Sequence, residues 1–143
     1  MDSCLIYLAT SSAPQTELDI LQTKDRDTRR YAKLHATGTR SVTPTHTLEI
    51  IEAPMPIAEQ LLDEITENPN LSDPEILLLA PIPKRFFKAW TLKQIATDPP
   101  KDDWTHTVRV LAQQATLAPD ALPLVIPKML ATLPSESAQI NAA

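Results

Sequence analysis

The chain of 143 residues has the length of one domain, and its 43% hydrophobic and 22% charged residues are typical of a soluble globular protein without a membrane-spanning segment. Its single cysteine excludes an internal disulfide and its single glycine, Gly38, excludes every glycine-rich phosphate loop, so we expect a cytoplasmic protein with no cofactor and no metal. Its formal charge of −5 weighs against general nucleic-acid binding, although the charges are segregated along the chain.

The first half of the chain predicts short strands around a polar insertion. An apolar, β-prone run predicts a buried strand over 4–10. Apolar and acidic residues alternate over 16–23, which favours a second strand that returns antiparallel to the first. Residues 24–47 are polar and weakly periodic, and we interpret them as a basic insertion that is a long loop or partly helical. A further short strand is expected at 48–52.

The middle of the chain carries the clearest hydrophobic patterns. Ile57, Leu61 and Ile65 recur at the spacing of one helical face, which predicts a helix over 57–67. The apolar run 75–80 is continuous rather than alternating. Continuous runs of this length are typical of strands covered on both faces, so we expect a central parallel strand there.

Three more elements complete the predicted domain. A proline in the first turn favours a helix over 83–95, alternating residues favour a strand over 104–112, and another proline favours a short helix over 127–133. Residues 135–143 are expected to form a flexible tail. Strands that alternate with helices predict an α/β fold over 1–134, a single-domain layered sandwich with a mixed, partly parallel sheet and flanking helices.

Acidic and nucleophilic residues give no catalytic constellation. Glu59, Asp63 and Glu67 stack on one helical face opposite the apolar stripe, where solvent is the expected neighbour. The aspartates of 98–103 precede a predicted strand, and ligands of open α/β sheets bind at the other end of strands. The histidines and Cys4 share no spacing that pairs a nucleophile with a base. We therefore assign no catalytic residue and favour a binding protein over an enzyme. A hydrolase or a metal-dependent nuclease is a less favoured alternative.

Two basic segments carry the strongest functional signal. Residues 24–40 hold six bases and two acids, and residues 84–93 interleave bases with aromatic side chains. This combination suits a phosphate backbone with stacked bases, although the same spacing is typical of an amphipathic helix whose lysines face solvent. The residues expected to contact a partner are Arg29, Arg30, Lys33, Arg40, Lys84, Arg85, Lys88 and Lys93.

Residues 76–87 resemble a segment of a known family. They form an apolar strand, the pair Ala80-Pro81 and a predicted helix, as in the host attachment protein family, small bacterial proteins similar to the middle domain of peptide-release factors. The order of predicted elements along the chain agrees with that family. The resemblance implies an α/β fold with ribonuclease-H-like layering, and it brings no catalytic residue.

The sequence therefore predicts a non-catalytic binding protein with a macromolecular partner, RNA or the translation machinery, and without a membrane partner. The alternative is a protein-interaction or assembly subunit. Its contact surface would be the acidic segment 49–75, which holds eight acids and no base, or the proline-rich apolar C-terminal segment.

Overall fold

The computed structural model describes residues 1–95 and 104–134, which form a five-stranded sheet with helices on both faces. The predicted α/β fold with a mixed sheet and flanking helices is confirmed. In chain order the elements are β1 (Asp2–Ser11), α1 (Glu17–Lys33), β2 (Thr37–Val42), β3 (His46–Pro54), α2 (Met55–Glu67), β4 (Leu71–Pro81), β5 (Trp90–Gln94), α3 (Trp104–Leu117), a 3-10 turn (Pro119–Ala121) and α4 (Leu122–Thr132).

The strand order is β4-β1-β3-β2-β5, a ferredoxin-like arrangement with β5 added beside β2. β1 pairs antiparallel with both β3 and β4, and β2 pairs antiparallel with β3 and parallel with β5. The expected ribonuclease-H-like layering is therefore wrong. The run 75–80 lies in β4, an antiparallel edge strand, and it is continuously apolar because Leu78 packs in one core and Leu79 in the other.

The sheet separates two hydrophobic cores. Cys4, Ile6 and Leu8 of β1 pack under α3 and α4, whereas Leu5 and Tyr7 face α1 and α2. This alternation follows from the two-residue period of a strand. We call the two layers the α3/α4 core and the α1/α2 core. The predicted strands at 4–10 and 48–52 and the predicted helix at 57–67 are confirmed as β1, β3 and α2.

Residues 16–23 begin α1 instead of forming the predicted strand. The Thr16 side chain accepts a hydrogen bond from the Asp19 backbone N–H at 3.1 Å, and the Asp19 carboxylate accepts one from the Thr16 N–H at 3.3 Å. This reciprocal cap starts the helix. Residues 24–47, expected as an insertion, complete α1 and form β2 and the start of β3. This helix has no clear apolar stripe in the sequence because it buries few residues: Ile20, Asp27 and Tyr31.

Residues 83–95 form a loop and then β5, and the predicted helix is wrong. The buried Glu52 carboxylate accepts the backbone N–H of Phe86 at 2.6 Å and that of Phe87 at 3.0 Å. Both backbone N–H groups therefore donate to a side chain of β3, and these hydrogen bonds anchor the loop to the sheet.

Residues 104–112, predicted as a strand, lie in α3. The positions that this helix buries repeat at helical spacing: Trp104, Val108, Ala112 and Ala115. The helix predicted over 127–133 begins earlier, at Leu122, and continues through Pro127 as α4. The predicted tail 135–143 and the aspartates of 98–103 lie outside the described residues. Within residues 1–95 and 104–134, no helix combines the length and hydrophobicity needed to cross a membrane.

Candidate functional site

A cleft of about 730 Å³ lies between α1 and α2, above the sheet. Leu61 and Ile65 of α2 give it apolar walls, Thr23 of α1 lines the opposite side, and Val42 and Leu92 belong to its floor. Sites for cofactors and other small molecules have volumes of about 300–1,000 Å³ and walls of this mixed character. The cleft is therefore large enough for a ligand of several fused rings.

A buried carboxylate organises the strands below the cleft. Strand register places Glu49 of β3 between Tyr7 of β1 and Arg40 of β2. The Tyr7 hydroxyl donates to Glu49 Oε1 at 2.6 Å, and Trp90 Nε1 of β5 donates to Oε2 at 2.9 Å. Glu49 is fully buried, so these donors replace the water that the carboxylate loses on folding.

Arg40 brings a second charge to the floor of the cleft. Its Nη1 donates to Asp27 Oδ2 at 2.8 Å, and its Nε lies 3.2 Å from Glu49 Oε1. The centre of its guanidinium lies 4.9 Å from the Trp90 ring centroid and 5.8 Å from that of Tyr31, which is cation–π range. The side chain is 13% exposed, and these contacts with four residues of α1, β3 and β5 fix its orientation.

The charges of this network persist over a wide pH range. Burial alone would lower the pKa of Arg40, but Glu49 and the other acidic groups around it raise that pKa well above its ordinary value. Burial alone would raise the pKa of Asp27, but Arg26 and Arg40 hold it below its ordinary value. A positive guanidinium at the inner end of the cleft is therefore a permanent feature of the folded chain.

An ion pair connects the two helices at the edge of the cleft. Arg30 Nη2 of α1 lies 2.6 Å from Glu64 Oε1 and 2.7 Å from Oε2 of α2. Both side chains are 41% exposed. Exposed ion pairs contribute about 0–1 kcal/mol to stability. Breaking this pair would therefore cost little when a ligand enters between the helices.

The residues expected to contact a partner do not form one surface. Arg40 points inward and Arg30 bridges the cleft, as described above. Arg29 pairs with Asp25 along α1 at 2.7 Å. Arg85 lies near the start of β1, where it donates twice to Asp2 at 2.9 Å. Lys33, Lys84 and Lys88 are exposed, and Lys93 is half-buried in β5.

The alternative contact surfaces are also used within the fold. In the acidic segment 49–75, Glu49 and Glu52 are buried, Glu64 pairs with Arg30, and Glu75 pairs with Arg109 at 3.0 Å. The proline-rich C-terminal segment forms α4, whose buried residues belong to the α3/α4 core: Leu122, Val125, Ile126 and Met129.

Sequence reasoning missed the residues that organise the cleft. The sequence pattern puts Glu49 in the acidic segment 49–75 and Trp90 in the helix predicted over 83–95. One signal was present: Glu49 and Glu52 interrupt an otherwise apolar strand. A carboxylate in a buried strand requires donors, so each of these residues indicates a partner elsewhere in the chain. The strand register that places Tyr7 and Arg40 beside Glu49 has no signal of this kind in the sequence.

The two tyrosines of the chain, Tyr7 and Tyr31, provide a test of this buried network. Burial, and then the charge of Glu49, raises the pKa of each phenol above its ordinary value of 10.0. Their folded pKa exceeds the unfolded one, so this contribution to stability is complete below pH about 10 and is lost as the pH rises further. We expect no tyrosinate absorbance near pH 10 while circular dichroism remains native. A tyrosinate signal with unchanged circular dichroism contradicts this expectation.

Comparison with known proteins gives the fold a context. No family model matches the sequence. A curated relative, the photoactivated adenylate cyclase subunit beta of Euglena longa, is 30% identical over 105 residues, which are 69% of this chain and 12% of that protein. The chain thus spans about an eighth of that relative's length.

Solved structures match over more of their length. The BLUF protein BlrB in its dark state is 24% identical, with a TM-score of 0.60 over 92% of this chain and 90% of that one. The BLUF domain of BlrP1 is 16% identical, with a TM-score of 0.63 over 96% and 98%. Klebsiella pneumoniae BlrP1 with FMN and cyclic diGMP is 22% identical, with a TM-score of 0.58 over 67% of this chain and 26% of that one.

These similarities correct the expected family and function. The likeness of residues 76–87 to the host attachment protein family is wrong, because Ala80-Pro81 ends an edge strand and a loop follows it. The expected binding of RNA or the translation machinery is wrong as well, since the similar proteins are a photoactivated adenylate cyclase subunit and BLUF proteins. The chain has the fold of BLUF domains.

Proposed function

We propose that the chain is a sensory domain of the BLUF type that holds a flavin in the cleft between α1 and α2 and controls an effector. BLUF domains are flavin-binding blue-light sensors that regulate effector enzymes. The Euglena longa relative is a photoactivated cyclase subunit, and one of the similar structures contains FMN. The observation that carries the proposal is the cleft of about 730 Å³ on this fold.

The lining of the cleft fits a flavin in size and chemistry. An isoalloxazine is flat, apolar on both faces and rich in carbonyl and nitrogen acceptors along one edge. Leu61 and Ile65 can cover an apolar face. Arg40 lines the cleft and carries five N–H groups, of which hydrogen bonds to Asp27 and Tyr31 use two. When bound, the flavin would supply the absorption of blue light.

The chain's own residues would position the ligand and keep water from its inner end. Glu49 accepts hydrogen bonds from Tyr7 and Trp90, and these bonds connect β1, β3 and β5 beneath the cleft. A carboxylate has no proton to donate. A ligand acceptor at the floor would therefore be met by Arg40 and not by Glu49.

A pair of substitutions on α1 tests the location of the flavin. Thr23 lines the cleft, whereas Thr28 lies on the same helix and outside it. We expect purified protein to bind riboflavin or FMN with one site, detected by quenching of flavin fluorescence. Thr23→Trp fills the cleft and should abolish binding, and Thr28→Trp should preserve it.

Illumination provides the functional readout. Blue light should shift the absorption spectrum of the bound flavin, and the spectrum should return in the dark. A wild-type chain that is folded by circular dichroism and binds no flavin refutes the proposal. Equal binding by the two tryptophan variants refutes the location.

The effector would be an attached domain or a separate protein. The Euglena longa relative carries its cyclase activity in a protein of which this chain matches 12%.

A further inference from the structure

We infer that Arg40 contacts the ligand of the cleft and gives the site its preference for a flat ring system with hydrogen-bond acceptors along its inner edge. This inference rests on the proposed function. It assigns a specificity-determining role to one buried cation.

The position of Arg40 on the sheet is the first argument. It pairs with Glu49 of β3 on one side and with Leu92 of β5 on the other. Its side chain points to the α1/α2 side of the sheet, where it lines the cleft and contacts Asp27 and Tyr31 of α1. Arg40 is therefore the cationic side chain that the strands present to the floor of the cleft in the described part of the chain.

The second argument is that Arg40 keeps donors in reserve. Hydrogen bonds in the described structure use one N–H of Nη1, to Asp27, and one of Nη2, to Tyr31 at 3.2 Å. Nε is buried and lies 3.2 Å from Glu49 without the alignment of a hydrogen bond. A buried guanidinium with unused donors is unfavourable unless another acceptor is supplied.

The third argument is that neighbouring donors are already committed. Tyr7 and Trp90 both donate to Glu49. The aromatic rings of Tyr31 and Trp90, tilted at 55° with centroids 4.8 Å apart, also hold the guanidinium in place. A planar fork of donors that is fixed before binding matches a pair of adjacent acceptors at little entropic cost.

The test compares Arg40 with Arg29, a control outside the cleft. Arg29 lies on α1, pairs with Asp25 and has a side chain that is 70% exposed, whereas the cleft-lining Arg40 is 13% exposed. Arg40→Gln should weaken riboflavin binding about ten- to hundredfold, the effect of losing a charged hydrogen bond. Arg29→Gln should change it less than about threefold. Arg40→Lys keeps the charge and loses the fork, so it should lie between the two.

A second ligand separates contact from collapse of the site. Acridine has three fused rings like the flavin but no carbonyl groups. If Arg40 contacts the acceptor edge, Arg40→Gln weakens riboflavin binding and leaves acridine binding nearly unchanged. Equal losses for both ligands overturn the inference, because they indicate a structural role. The double variant Arg40→Gln/Glu49→Gln removes the unpaired buried charge and should show the same selectivity if the single variant folds poorly.

The remaining outcomes are also decisive. If the wild type binds riboflavin and Arg40→Gln binds it equally well or more tightly, Arg40 is no ligand contact, and the proposed function survives alone. If the wild type binds no flavin and Arg40→Gln gains binding, Arg40 blocks the cleft and both statements fall. If neither binds, the proposed function fails and the inference fails with it.

Discussion

Replacing Glu49 by alanine is expected to lower the free energy of unfolding by about 3–5 kcal/mol, the cost of leaving a buried charge without its partner. The substitution removes the acceptor for Tyr7 and Trp90 and the nearest carboxylate of Arg40 Nε. Three buried polar groups are then unsatisfied or weakly satisfied at once. Urea denaturation followed by circular dichroism measures the loss.

Glu64→Ala is the matched control for this experiment. Glu64 also pairs with an arginine, Arg30, at 2.6 Å, but the Glu64 side chain is 41% exposed. Water replaces the lost partner there, so the expected cost is about 1 kcal/mol or less. Glu49→Gln should fall between the two variants, since the amide still accepts one hydrogen bond but turns its NH₂ group toward a donor. If the two alanine variants lose the same free energy of unfolding, burial is not what makes the Glu49 contacts stabilising.

Replacing Gly38 by alanine is expected to prevent the fold from forming at ordinary temperature, a loss of more than about 4 kcal/mol. Gly38 in β2 has a φ of +144°, a backbone conformation that residues with a side chain rarely adopt. A Cβ atom there would lie 2.0 Å from the carbonyl oxygen of Ile50 in β3. Neither strand can move away easily, because both are paired on two sides.

Thr39→Ala provides the comparison for this backbone effect. Thr39 neighbours Gly38 in the same strand, is buried, and accepts a hydrogen bond from Thr91 at 3.2 Å. Its loss should cost about 1 kcal/mol. Thermal unfolding of both variants gives the measurement. A Gly38→Ala chain that unfolds near the wild-type temperature would show that the strand tolerates a side chain there.

The fold could be predicted from sequence where burial dictates a clear period. Residues 4–9 are apolar without interruption, 48–52 are apolar apart from Glu49 and Glu52, and 57–67 show a sharp helical stripe, so the sequence predicts these strands and this helix. Residues 104–112 failed for a geometric reason. Trp104 and Val108 are four positions apart, a spacing that fits alternation and helical repetition equally. The later buried positions Ala112 and Ala115, three apart, decide for a helix.

The candidate site could be predicted far less well, because strand pairing creates it. Arg40 lies in a segment whose polarity favoured a loop, and its burial depends on Tyr31 and Trp90 from elements distant in sequence. Glu52 and Glu49 could each be recognised as buried acids in need of donors. Which donors serve them follows from register and from the course of the loop after β4, and neither is encoded in a local pattern.

The two tryptophans of the chain lie on opposite sides of the sheet. Trp90 belongs to the α1/α2 core and Trp104 to the α3/α4 core, and both are buried. Each layer thus contains its own intrinsic fluorophore, with a polar charged neighbourhood around one and an apolar neighbourhood around the other. Trp→Phe variants that leave a single emitter can therefore report separately on the two halves of the molecule during unfolding, and the emission of Trp90 can report on occupation of the cleft without any added label.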